Sequence, residues 1–157
     1  MNAETAKTKT VVFVEDNPVV LMAYQNRLQR EGYHVIPATD GLQAMKVLSE
    51  SVPDLVVLDL MLPKFNGMEI LKFISANPRY QTVPIIILST NSILDAAEEH
   101  LLERASKRLL KISCTPAIML QAIQELFFGA AATDRTDDSQ PVASKTQKAP
   151  TDLHVAV

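Results

Sequence analysis

The chain has 157 residues, 47% of them hydrophobic, and a formal net charge of -3, which is room for one domain with a buried core and leaves no basic stripe of the kind that direct nucleic-acid binding requires. A single cysteine, Cys114, excludes an intrachain disulfide, and three scattered histidines offer no zinc site. No apolar run reaches membrane-spanning length and Met1 to Thr10 lack the apolar stretch of a signal peptide, so a soluble, cytoplasmic protein with no membrane partner is expected.

Apolar runs of strand length alternate along the chain with segments whose apolar residues recur at helical spacing. The first run, Val11 to Val14, leads to Asn17 as a helix cap with Pro18 at the first helical position, and Val20, Leu21, Tyr24 and Leu28 form one stripe that Gly32 ends. A short strand from about Tyr33 to Pro37 is followed by a helix over Gly41 to Glu50, with Leu42, Met45 and Leu48 on one side and Pro53 as the stop. The run Leu55 to Leu58 ends in Asp59 and a loop from Met61 to Gly67, after which Met68, Leu71 and Ile74 belong to a third helix running toward Pro78. In that loop Gly67 and Pro63 read as shape residues, glycine by allowing positive φ and proline by fixing its own. The run Ile85 to Leu88 leads to Ser89 and a fourth helix around Ile93 to Arg104, and a weak strand near Arg108 to Leu110 precedes Lys111.

The fifth helix starts with Thr115 as cap and Pro116 at its first position, and Cys114 with Met119 forms a hydrophobic staple across the entry, a packing role rather than a reactive thiol. Ile118, Ala122, Ile123 and Leu126 continue its packing face. Beyond Phe128 the composition turns to Ala, Thr, Asp, Ser, Gln, Lys and Pro, too poor in apolar surface to order itself. The expected organisation is a disordered segment over 1–9, a folded domain over 10–128 and a disordered tail or linker over 129–157. Five strands alternating with five helices specify a doubly wound α/β sandwich.

Three of the strands deliver polar groups at their C-terminal ends: Glu15 and Asp16, Asp59, and Ser89, with Lys111 brought to the same edge. That edge of a parallel sheet is where open α/β folds bind ligands. The segments Val14-Glu15-Asp16-Asn17, Leu58-Asp59-Leu60-Met61-Leu62-Pro63, Asn66-Gly67, Val83 to Ser89 and Leu109-Leu110-Lys111 fall in the order and spacing of the receiver domain of bacterial two-component response regulators, which the chain resembles from about Thr10 to Phe128. The resemblance implies a five-stranded parallel sheet of order 2-1-3-4-5 flanked by five helices, the flavodoxin-like arrangement.

It also implies that Asp59 accepts a phosphoryl group from a phosphohistidine on a sensor histidine kinase or histidine phosphotransfer protein, in a phosphorelay rather than a turnover enzyme. Carboxylates gathered at one edge repel one another, each close pair by about 4 kcal/mol at about 4 Å and an effective dielectric near 20. Oxygen ligands completed by water favour Mg²⁺ as the cation that relieves this. By the same resemblance Asp16 and Asp59 bind the ion directly, Glu15 through water and Met61 through its backbone carbonyl, while Lys111 and the Ser89 hydroxyl hold phosphoryl oxygens. Singly, each residue has an ordinary explanation: Glu15 and Asp16 complement the dipole of the helix that follows, Ser89 forms a turn, and Lys111 is a surface charge. Their joint placement favours the receiver. His34 and His100 take no role.

Three positions depart from the family pattern. Arg108 stands where a switching Tyr or Phe is usual, and its charge does not suit burial. Thr90 replaces a small alanine, narrowing access to a phosphoryl on Asp59. Ile112 replaces a proline after the lysine, so a trans Lys111-Ile112 bond is expected, since a cis bond there costs about 2.5–4 kcal/mol. Met61 and Asn91 occupy positions that in the family help set the phosphoryl lifetime. No output domain is visible in the sequence, which fits either a stand-alone receiver or part of a longer regulator. Signalling would then run through the face of the fourth helix, fifth strand and fifth helix, where Arg104, Lys107 and Arg108 form a mildly basic patch for an acidic protein partner or a second copy of the chain. The rival reading is a phosphorylation-independent interaction module. An aspartyl phosphatase usually needs a second acid where Met61 stands, and a nucleotide or flavin site would need a phosphate-cradling loop where Glu15-Asp16-Asn17-Pro18 repels phosphate.

Overall fold

A computed structural model of the chain describes residues 7–90 and 99–129. Five strands, β1 (Thr10–Val14), β2 (His34–Ala38), β3 (Leu55–Asp59), β4 (Ile85–Ser89) and β5 (Lys107–Leu110), form one parallel sheet in the order β2-β1-β3-β4-β5. The helices are α1 (Pro18–Arg30), α2 (Gly41–Glu50), α3 (Gly67–Ala76), α4 (Glu99–Leu102) and α5 (Pro116–Phe128), with 3-10 turns at Pro78–Tyr80 and Lys111–Ser113. The doubly wound sandwich and strand order expected from the sequence are those observed. Residues 1–6 and 130–157, which fall in the segments expected to be disordered, lie outside the described residues, as do Asn91 and the part of the expected fourth helix over 93–98. Lys9 already belongs to the sheet margin, because its carbonyl accepts the His34 N–H at 2.9 Å.

The near-continuous apolar runs of β1, β3 and β4 mark strands covered on both faces. Alternation divides the core in two. Val12, Val14, Val56, Leu58, Ile85 and Ile87 face the cluster under α2, α3 and Leu102 of α4, whereas Val11, Phe13, Leu55, Val57, Ile86 and Leu88 face α1 and α5. Cys114 and Met119 are both buried in this second cluster, as the staple expects, and burial pushes the Cys114 thiol pKa up, away from reactivity.

Caps fix where the helices begin. The Asn17 side chain accepts the Val19 N–H at 3.0 Å ahead of Pro18, Asn66 accepts the Met68 N–H at 3.0 Å, and Thr115 Oγ1 accepts the Ile118 N–H at 3.2 Å ahead of Pro116.

Two helix faces differ from the sequence expectation. In α2 the buried residues are Gly41, Ala44 and Leu48, while Leu42 is 63% exposed. At 3.6 residues per turn Leu42 lies about 120° around the helix from Leu48, whereas Gly41, Ala44 and Leu48 fall within about 60° of one another. In α5 Met119, Leu120, Ala122 and Ile123 are buried and Ile118 is not. The loop after β3 also obeys a different rule. Its positive φ belongs to Lys64, at 68°, where the Phe65 N–H bonds the Pro63 carbonyl at 2.8 Å around a three-residue turn. Gly67 is required for close approach instead: a Cβ there would stand 2.5 Å from the Asp59 carbonyl oxygen and 2.6 Å from Leu60 Cα.

Candidate functional site

The sheet register brings the polar strand ends together. Val14 pairs with Leu58, Asp59 with Leu88, and Ser89 with Leu110, so Glu15, Asp59, Ser89 and Lys111 end at one edge although they are far apart in the chain. Glu15 continues the line of β1, its N–H donating to the Ala38 carbonyl at 3.0 Å. Glu15 and Asp59 are fully buried, Ser89 is 8% exposed, and Asp16 stands in solvent beside them.

Lys111 closes the site. Its Nζ donates to Asp59 Oδ2 at 2.6 Å and to Glu15 Oε1 at 2.9 Å, bridging two carboxylates that would otherwise repel. Asp59 Oδ1 accepts the Met61 N–H at 2.9 Å, and Glu15 Oε1 also accepts the Asn17 N–H at 3.0 Å. Burial raises the pKa of Glu15, against the lowering effect of Lys111. For Lys111 burial alone would lower the value, but the hydrogen bonds to Asp59 and Glu15 prevail and hold it above the ordinary lysine range.

The donor set fits a hard divalent cation. Carboxylate oxygens of Glu15, Asp16 and Asp59 lie within 4.8 Å of one another. Glu15 Oε2 is buried and makes no hydrogen bond, although it stands 2.8 Å from Lys111 Nζ, so one oxygen of the cluster retains capacity for a further cationic or water partner. The Met61 side chain is 67% exposed, outside the carboxylate cluster.

The departures have concrete outcomes. Arg108 is exposed, and its guanidinium pairs with Glu99 of α4 at 2.9 Å, so this position reaches outward to a helix. The Lys111-Ile112 peptide is trans, and Ile112 is 93% exposed. Nor is the α4-β5-α5 face a free basic patch: Lys107 pairs with Glu125, Arg108 with Glu99, and the Arg104 guanidinium donates to the carbonyls of Tyr80 and Val83. Two backbone contacts at the site were missed in the sequence. The Met61 amide on Asp59 is a two-residue Asx contact that an aspartate at a strand end signals, whereas the bond from the Tyr24 hydroxyl to the Cys114 carbonyl, at 2.5 Å across 90 residues, leaves no local signal.

Residues 11–124 match the family model described as the response regulator receiver domain. The polar-differentiation response regulator DivK of Brucella ovis is 30% identical over 82 residues, covering 52% of this chain and 67% of that protein. Among solved structures, the receiver domain of sensor histidine kinase PA1611 from Pseudomonas aeruginosa, which has a magnesium ion coordinated in its active site cleft, is 28% identical with a TM-score of 0.66, covering 76% of this chain and 97% of that one. Response regulator TrrA from Thermotoga maritima, solved in complex with Mg²⁺-BeF, is 25% identical with a TM-score of 0.65 over 76% of this chain and 99% of that one. Among the described residues no helix is long and apolar enough to cross a membrane. With its strand order, its acidic edge and a family match over residues 11–124, the chain belongs to the response regulator receiver domains of two-component systems.

Proposed function

We propose that this receiver takes a phosphoryl group onto Asp59 from a phosphohistidine on a sensor histidine kinase or histidine phosphotransfer protein, with Mg²⁺, and signals by binding a protein partner. One observation carries the reading: a fully buried aspartate at the sheet edge is held 2.6 Å from a lysine ammonium and within 4.8 Å of two further carboxylates. In the transfer an Asp59 carboxylate oxygen forms a bond to phosphorus as the phosphorus–nitrogen bond of the donor breaks, and the imidazole leaves with that electron pair. Lys111 already sits on Asp59 and offers its charge to a transferring oxygen. The Ser89 hydroxyl, opposite Leu110 in the register, is the second donor to the phosphoryl.

Glu15, Asp16, Asp59 and the Met61 carbonyl are the groups that would hold Mg²⁺, and the ion recorded for the Pseudomonas and Thermotoga receivers supports this assignment. When bound, it supplies positive charge against the phosphoryl oxygens. The α4-β5-α5 face, with its paired charges, is the surface proposed for the downstream partner or a second copy of the chain. As a domain that is itself the acceptor, it acts as a signalling module rather than a turnover enzyme.

Intact-mass spectrometry after incubation with acetyl phosphate and Mg²⁺ tests the reading, with Asp59→Asn and EDTA-treated samples alongside. One added phosphoryl that requires both Asp59 and the metal is the expected result. No adduct, repeated with a phosphohistidine donor, would instead establish the phosphorylation-independent module, a reading favoured by Arg108 pairing outward with Glu99.

A further inference from the structure

Lys111 is placed by the single 3-10 turn Lys111–Ser113 and not by a strand. Between Lys111 and the buried Cys114 that caps it, that turn places no side chain in the core. Ile112 is 93% exposed and buries no anchor, and the turn's own bonds are long: Cys114 N–H to the Lys111 carbonyl at 3.3 Å and Ser113 Oγ to the Leu110 carbonyl at 3.2 Å. The short bond comes from α1, where the Tyr24 hydroxyl donates to the Cys114 carbonyl at 2.5 Å.

Tyr24 is itself fixed. Its side chain is 4% exposed, and its ring stacks on Phe13 with centroids 4.9 Å apart and planes 23° from parallel. Phe13 lies on β1, two residues before Glu15. One side chain therefore rests on the strand that presents Glu15 and grips the turn that presents Lys111. Tyr24, Cys114 and Lys111 also line a common open cleft of about 310 Å³, so the turn is not packed in on that side.

We infer that Tyr24 is a positioning residue of the phosphoryl-transfer site: through the Cys114 carbonyl its hydroxyl sets the reach of Lys111 to Asp59 and Glu15. The inference rests on Asp59 as phosphoryl acceptor for its kinetic consequence, but the geometric consequence is independent of phosphorylation.

The full chain is compared with its Tyr24→Phe variant, which keeps the ring and loses only the hydroxyl. Because an ammonium group held by two carboxylates exchanges slowly, the Lys111 Nζ signal is expected to be visible by nitrogen-15 NMR in the wild type and to broaden away in Tyr24→Phe. Labelling of Asp59 by acetyl phosphate and Mg²⁺ is expected to slow about tenfold, the scale of a sub-ångström misplacement. Because Tyr24 acts through Lys111, adding Tyr24→Phe to Lys111→Met is expected to slow labelling no further. An unchanged Lys111 signal with a wild-type labelling rate overturns the inference, and so does the same slowing in the Lys111→Met background, which would make Tyr24 a general support of the fold. Should the wild type take no phosphoryl group, the acceptor reading fails while the Lys111 signal still decides the role of Tyr24. If Tyr24→Phe does not fold, 3-fluorotyrosine at position 24 answers from the other side: its fluorine signal shifts on Lys111→Met if the two residues are coupled, and an unmoved signal refutes the coupling.

Discussion

Replacing Lys111 with methionine keeps most of the stem and deletes the charge that bridges Glu15 and Asp59. The two contacts, at 2.6 and 2.8 Å, each supply about 6 kcal/mol of gross attraction at an effective dielectric near 20. Desolvation of three charged groups cancels most of that sum. Loss of the lysine, however, leaves two buried carboxylates within 4.8 Å, repelling by about 3.5 kcal/mol or more at the same dielectric. The expected net cost in metal-free buffer near pH 8 is about 3–5 kcal/mol, the range for removing one partner of a buried ion pair. For a domain of this size that lowers the melting temperature by about 10–20 °C. Differential scanning calorimetry with and without millimolar Mg²⁺ reads the effect, and the cation is expected to stabilise Lys111→Met more than wild type, since it relieves the repulsion the lysine no longer does. Metal-free melting within about 1 kcal/mol of wild type, or equal stabilisation of both proteins by Mg²⁺, would refute the electrostatic account.

Gly67→Ala is expected to destabilise by about 2–4 kcal/mol in urea titrations because its Cβ meets rigid backbone, whereas Gly32→Ala, at φ 87° with nothing near it, is expected to cost about 1 kcal/mol of backbone strain; a reversed order would show that contact does not govern the β3–α3 loop. Arg104→Ala, which removes the donor to the Tyr80 and Val83 carbonyls, is expected to cost about 2 kcal/mol in the same titration, and Arg108→Ala, whose partner Glu99 is exposed, less than about 1 kcal/mol. The folded pKa of Lys111 lies above its ordinary value of 10.5, so its contribution is fully present below that pH and is lost as pH rises through the folded value. The stability difference between wild type and Lys111→Met in metal-free buffer is therefore expected to hold steady from pH 8 to about 10 and to shrink above it; a difference that grows with alkalinity would contradict that sign.

Strand ends were legible because strands buried on both faces are written as unbroken apolar runs, and the polar residue that stops each run is the one delivered to the edge. The helix starts were equally plain, since Asn17-Pro18 and Thr115-Pro116 carry cap and first-turn residues side by side. Which face of α2 is buried was not, because its inward stripe is made of Gly41 and Ala44 and a hydrophobicity pattern favours the larger Leu42. Close approaches were illegible for a related reason: nothing near Gly67 in sequence says that the Asp59 carbonyl passes within 2.5 Å of where a Cβ would be. Of the site, the acidic set and Lys111 followed from order along the chain. Their support did not, because the grip of Tyr24 on Cys114 depends on the crossing of α1 past the last turn of the sheet edge.

The position of Lys111 also bears on how the chain acquires its fold. The carboxylates that crowd the pocket come early in the chain, on β1 and β3, and the ammonium that bridges them comes after β5, one of the two edge strands. A folding intermediate with β2, β1, β3 and β4 assembled but β5 undocked would therefore enclose mutually repelling acids without the lysine that offsets them. Such a species is penalised by its own charge, which couples docking of β5 to completion of the pocket.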